Sequence, residues 1–162
     1  MMTFANGDII LRKAIEEDIE TIRNLTLSYD NQIEIARLTK MTYKEYLTWH
    51  VFNSLSSTYL LYISGEIIAI TGFGDDNDLF FLVTTDLKKN SKKSVKYFKE
   101  ILESLMKQEA LDFCRVFIDY SYEASIRWAT RCGFKFKSLI KLDKEISYGV
   151  YEYKIQKDKL SL

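Results

Sequence analysis

Between residues 58 and 73 the chain commits itself to a β-hairpin. Thr58-Tyr59-Leu60-Leu61-Tyr62-Ile63 and Ile67-Ile68-Ala69-Ile70-Thr71-Gly72-Phe73 are apolar runs rich in β-branched and aromatic residues, and Ser64-Gly65-Glu66 separates them. Two such runs joined by a short Gly-containing turn pair antiparallel. Gly74-Asp75-Asp76-Asn77-Asp78 is a second turn, and Leu79-Phe80-Phe81-Leu82-Val83-Thr84 adds a third strand to the meander. A long helix is expected next, from about residue 91 to about 108, where Val95, Phe98, Ile101, Leu102, Leu105 and Met106 recur at helical spacing.

The flanks are read in the same way. Ile9-Ile10-Leu11-Arg12-Lys13-Ala14 reads as a first strand, and Ile15-Glu16-Glu17-Asp18 opens a helix with Ile19, Ile22, Leu25 and Leu27 on its apolar face. A second helix is expected from about residue 42 to about 53. Thr42 and Glu45 have capping-box spacing there, and Tyr46, Trp49, Val51 and Phe52 form the expected buried side. Phe113–Asp119 reads as a strand, residues 123–132 as a short helix stopped by Gly133, and residues 134–142 and 146–155 as two closing strands. The expected order is β-α-α-β-β-β-α-β-α-β-β. Its central strand-helix-strand implies one parallel crossover in a mixed α/β (α+β) sheet that is otherwise mostly antiparallel and flanked by helices.

Length and charge narrow the function classes. The 162 residues suit a single domain, 1–162. Lys plus Arg number 23, as do Asp plus Glu, so the net charge of zero argues against a nucleic-acid partner unless the basic run at residues 88–99 forms a local patch. His50 is the only histidine and Cys114 and Cys132 are the only cysteines, which excludes a metal site or mechanism that needs two imidazoles. Both cysteines sit in apolar settings and read as buried small residues. No run reaches the roughly 18 apolar residues needed to cross a bilayer, and the start lacks a signal-peptide pattern. A cytoplasmic location without membrane partners is therefore expected. The chain has no proline and is rich in Lys, Ile and Tyr, as expected of an AT-rich genome such as that of a phage or a low-GC bacterium.

Two pieces carry a family resemblance. Ser125-Ile126-Arg127-Trp128-Ala129-Thr130-Arg131-Cys132-Gly133-Phe134 resembles the late helix of the GNAT superfamily of acetyl-CoA-dependent N-acetyltransferases, which ends in a Gly-Phe step into the next strand. Ile63-Ser64-Gly65-Glu66-Ile67-Ile68-Ala69, followed by Gly72, resembles that superfamily's central hairpin. The element order is similar over nearly the whole chain. Phe80-Phe81-Leu82-Val83-Thr84-Thr85 and Trp128 look closest to small GNAT-like proteins of tailed phages.

The resemblance implies acetyl-CoA as cosubstrate, held by Val83, Thr84 and Thr85 and by the start of the following helix. The superfamily's Q/R-x-x-G-x-G/A signature falls on Lys89-Asn90-Ser91-Lys92-Lys93-Ser94, with Lys89 at the Q/R position, Lys92 at the first glycine and Ser94 at the small residue. Backbone N–H groups at a helix start attract phosphate, and glycine lets it approach closely. Lys92 departs from that pattern, although Lys88, Lys89, Lys92 and Lys93 could hold phosphates by charge. The alternative reading is a solvated loop and helix face.

The resemblance also implies a base, an oxyanion donor and an acid for the leaving thiolate. The superfamily's tyrosine acid falls on Ala129, and its helix-start asparagine on Tyr122. Tyr120 and Tyr122 stand in as acids and Asp119 as a base, with Glu66 and Asp78 as further choices. His50, next to Trp49 on the second helix, is a further choice as a substrate-side base; the other reading makes the tyrosines packing residues and His50 structural. Trp128 and Phe134 read as core anchors. No metal is implied. The expected acceptor is a small-molecule or protein amine. The competing expectation is a GNAT fold without catalysis, acting as a phage virion, host-interaction or structural module in the host cytoplasm or virion. Tyr148, Tyr151 and Tyr153 read either as a homodimer surface or as core.

Overall fold

The computed structural model describes residues 2–86 and 91–155. The chain divides into two compact units, Met1–Phe73 with Phe80–Ser94, and Gly74–Leu79 with Val95–Leu162.

The first unit is built on five antiparallel strands in chain order: β1 (Met2–Asn6), β2 (Ile9–Lys13), β3 (Thr58–Ile63), β4 (Glu66–Phe73) and β5 (Leu79–Val83). The β3–β4 turn places Ser64 at φ 53 and Gly65 at φ 80. Positive φ at both central residues gives a primed turn, whose twist matches that of the flanking strands. The Ser64 amide also donates to the Asp8 carbonyl at 3.0 Å. β3 and β4, the inner strands beside β2 and β5, are buried almost throughout. On one face, α1 (Ile19–Arg23), α2 (Tyr29–Thr39) and α3 (Tyr43–Ser54) bury Ile22, Leu27, Ile35, Leu47 and Val51 with Leu60 and Ile70 of the sheet.

Three expectations need correction here. β1 was not anticipated. Neither was α2, whose only buried residue is Ile35. In α3 the capping box between Thr42 and Glu45 is present, but the buried side is Leu47, His50 and Val51. Trp49 and Phe52, expected inside, are 46% and 72% exposed. Residues three and four apart share a helix face, and the two aromatics fall off that face.

The second unit holds a three-stranded antiparallel sheet in the order β6-β8-β7, formed by β6 (Phe113–Asp119), β7 (Lys135–Lys141) and β8 (Ser147–Lys154). The helices are α4 (Ser91–Gln108), most of which belongs to this unit, and α5 (Glu123–Arg131). Phe98, Ile101, Leu102, Leu105 and Met106 are buried along α4, as its spacing requires, and Phe98 meets Trp128 with ring centroids 4.2 Å apart. α5 ends on Gly133 at φ +100. Its amide donates to the Thr130 carbonyl at 3.1 Å, and the Phe134 amide donates to the Ala129 carbonyl at 3.0 Å. That pair of bonds closes the helix in a Schellman motif, which explains the Gly-Phe step. Tyr148, Tyr151 and Tyr153 are all buried. Of the expected parallel crossover the described residues show one parallel bridge, between Asp78 and Arg115, and a salt bridge of 2.8 Å joins the same two side chains.

Candidate active site

Val83, Thr84 and Thr85, expected to hold the cofactor, lie in the first unit. The Thr84 amide donates to the Ile68 carbonyl of β4 at 2.9 Å, and its hydroxyl donates to the Ile67 carbonyl at 2.8 Å. Strand pleating therefore turns the backbone groups of Val83 and Thr85 to the outer edge of the sheet. That edge is covered. The Val83 amide donates to Asn31 Oδ1 at 2.9 Å, and the Val83 carbonyl accepts from the Ser28 amide at 2.8 Å. The Thr85 amide donates to the Thr26 carbonyl at 3.2 Å. The residues leading into α2 thus dock as a short extra strand, through an isolated bridge between Leu27 and Thr84. Asn31 was not singled out from the sequence. The signal that could have found it is Ser28, three residues earlier, whose hydroxyl caps α2 by accepting from the Asn31 amide.

Lys89 and Asn90 lie outside the described residues, as do the side chains of Ser91, Lys93 and Ser94. Ser91 is the first residue of α4, and Lys92 in its first turn is exposed. A helix start carries partial positive charge on amides that have no helical partner.

The catalytic candidates lie together in the second unit, at the turn between β6 and α5. Asp119 is buried, and its Oδ1 accepts from the Ser121 amide at 2.9 Å and the Ser121 hydroxyl at 2.7 Å. Its carbonyl accepts from the Tyr122 amide at 2.9 Å. The carboxylate therefore holds the turn that feeds α5. Tyr120 points outward, 52% exposed, with its ring centroid 6.4 Å from that of Phe136. Tyr122 is half-buried at the N-cap of α5. Ala129, which takes the place of the superfamily's tyrosine, is fully buried on the inner side of α5. Asp78 is engaged by Arg115, and Glu66 is exposed at the β3–β4 turn.

His50 is buried in the first unit. The Thr58 hydroxyl donates to the Ser54 carbonyl at 2.7 Å, so it must accept from His50 Nε2, 2.9 Å away. The ring is thus the Nε2–H tautomer, edge-on to Phe80 at 5.0 Å, and burial pulls its pKa below the ordinary value. This is a structural histidine. A depression of 810 Å³ in this unit is bordered by Ile15, Glu16, Val51, Phe52 and Asn53.

Burial pushes the Cys114 thiol up to about 12 and the Cys132 thiol up to about 11. The thiolate is the reactive form. Neither cysteine of the native protein should therefore be alkylated by iodoacetamide at about pH 8, close to the ordinary thiol pKa, whereas both should react in denaturant. Mass spectrometry of the two samples checks this, and fast native labelling would contradict the burial. Among the described residues no group of three or more His, Cys, Asp or Glu is placed to hold a metal ion, and no helix is long and apolar enough to cross a membrane.

No protein-family model matches the chain, and no curated protein does. Solved structures do. A RimL ribosomal L7/L12 α-N-protein acetyltransferase in complex with coenzyme A aligns at a TM-score of 0.69 and 11% identity, over 96% of this chain and 98% of its own. A GNAT-family acetyltransferase from Bacillus anthracis aligns at 0.68 and 12%, over 95% and 98%. The fold is the GNAT fold. A microcin C7 self-immunity acetyltransferase, MccE, in complex with acetyl-CoA and AMP, shares it at 0.65 and 11%, over 93% and 94%. None of the three descriptions names a phage source.

Proposed function

We propose that this chain is an N-acetyltransferase that uses acetyl-CoA and passes the acetyl group to an amine. The observation that carries the reading is end-to-end agreement in fold with chains crystallised with coenzyme A or acetyl-CoA. In the transfer the amine nitrogen attacks the thioester carbonyl, the C–S bond breaks, and the amine's proton is lost as the thiolate gains one.

The residues fit that cosubstrate in part. The start of α4, with exposed Lys92 beside it, suits a diphosphate. At the edge of β5 the Val83 amide is already bonded to Asn31, so an incoming carbonyl oxygen must displace that side chain. On the acid side, Tyr122 opens α5 and Tyr120 precedes it, whereas Ala129 offers no donor. Asp119 is committed to its turn, which favours an amine that loses its proton to water.

Calorimetric titration of acetyl-CoA into the purified chain tests the reading. Micromolar binding is expected, weakened about tenfold by Lys92→Glu through loss of a charge-assisted contact. Asn31→Ala, which clears the Val83 amide, should not weaken it. No heat at millimolar acetyl-CoA would sink the acetyltransferase reading.

A further inference from the structure

The chain is neutral overall, yet the second unit concentrates positive charge on one concave surface. Lys99, Glu103 and Lys107 recur every four residues on α4, so they share one side of the helix over about 12 Å. With Lys135 and Lys137 of β7 and Lys154 of β8 they border a cavity of 610 Å³. The carboxylates there are already engaged. Glu152 lies 3.5 Å from Lys154 and 3.9 Å from Lys137, and Glu103 accepts the Tyr153 hydroxyl at 2.5 Å. Lys99, Lys107 and Lys135 have no carboxylate within ion-pair reach among the described residues.

β7 borders this cavity and is an edge strand of its sheet, with every one of its residues exposed. Its register shifts between Phe136 and Ser138, so Lys137 is bulged. Phe136 and Leu139, each 52% exposed, add apolar contact area along the strand. An exposed edge offers its outward backbone groups to a further strand.

Charge selects the occupant. A second copy pairing through β7 would set Lys135, Lys137 and Lys141 against the same lysines, and like charges across a strand pair repel. A single-stranded nucleic acid needs an exposed aromatic face on which bases stack. The aromatic ring bordering the cavity is Tyr153, only 4% exposed and tied to Glu103, and the exposed ring of Phe136 lies on β7 outside the residues that border the cavity. We propose that β7 and the lysine-lined cavity together receive an extended acidic polypeptide segment, added to the sheet as a strand with its carboxylates among Lys99, Lys107 and Lys135. This does not depend on acetyl transfer.

The test is fluorescence anisotropy on the full chain with a short labelled peptide of alternating Glu and Val. Saturable binding is expected. It should weaken about tenfold in the double variant Lys107→Glu, Lys135→Glu, because charge pairing is reversed. It should weaken by a similar factor, about tenfold, when alternate peptide amides are N-methylated, because strand pairing is blocked at constant charge. A thermal melt confirms that the variant is folded, and Lys135→Gln serves if it is not. Binding that ignores the lysine substitutions overturns the site. Full binding of the N-methylated peptide overturns strand addition. Equal binding of an oligothymidylate of matched charge overturns the polypeptide partner in favour of any polyanion.

Discussion

Gly72→Ala is expected to leave the chain unable to fold. A Cβ at that position would lie 2.0 Å from the Ser57 carbonyl oxygen and 2.8 Å from the Phe80 ring. Neither neighbour is free to retreat. Ser57 precedes Thr58, which pairs with Gly72 across the β3–β4 ladder and whose carbonyl accepts from the Ala14 amide at 2.9 Å. Phe80 is held by the edge contact with His50. Clashes of this kind cost more than about 4 kcal/mol, against a total stability of about 5–15 kcal/mol for a typical domain. Gly65→Ala is the matched control. Nothing lies within 4 Å of its Cβ, and only the positive φ of +80 opposes the change. That costs about 1–2 kcal/mol. Soluble yield and urea denaturation of the two variants separate the outcomes. A Gly72→Ala protein that melts within a few degrees of the parent would show that the β3–β4 ladder yields more readily than its contacts imply.

The second large effect is expected at Asp18. Its carboxylate accepts from Arg12 at 2.7 and 2.8 Å and from the Ile15 amide at 2.8 Å, and Arg12 also donates to the Tyr62 hydroxyl at 2.8 Å. This cluster ties β2 and β3 to the turn that starts α1. Removing one member of a buried pair costs about 3–5 kcal/mol. The side chains here are 26% and 11% exposed, so water recovers part of the loss. Asp18→Ala should therefore cost about 2–3 kcal/mol in urea denaturation. The pH dependence has a definite sign. The Arg12 hydrogen bonds hold the Asp18 carboxyl below its ordinary pKa. Its contribution is thus complete above the unfolded value of about 3.9 and is lost as pH falls through the folded value. The stability gap between the parent and Asp18→Asn should be constant from about pH 7 to about pH 5 and should close below about pH 4. A gap that persists unchanged into strong acid would mean that the ion pair is not what Asp18 contributes.

What was legible in the sequence follows from how each element is stabilised. The β3–β4 hairpin, the apolar side of α4 and the Gly133 stop are local patterns, and each is present at the expected place. α2 is marked in the sequence by Ser28 at its cap, and Ile35 is its one buried residue. Residue type points Trp49 and Phe52 inward, whereas helical phase, which buries Leu47, His50 and Val51, turns them out. The site was less legible for a related reason. The covering of Val83 by Asn31 joins residues 52 apart in the chain. The role of Asp119 depends on which neighbour its carboxylate finds, and Ser121 lies close enough to claim it.

The shielded imidazole of His50 has a bearing on kinetics. With its own titration displaced toward acid and both thiols displaced toward alkali, no histidine or cysteine of this chain changes charge between about pH 7 and about pH 9. The protein's surface field is nearly constant over that interval. Under the proposed acetyl transfer, an inflection in a rate profile there would have its source in the acceptor's own ammonium group or in a chain terminus, so the profile would serve as a readout of the acceptor amine.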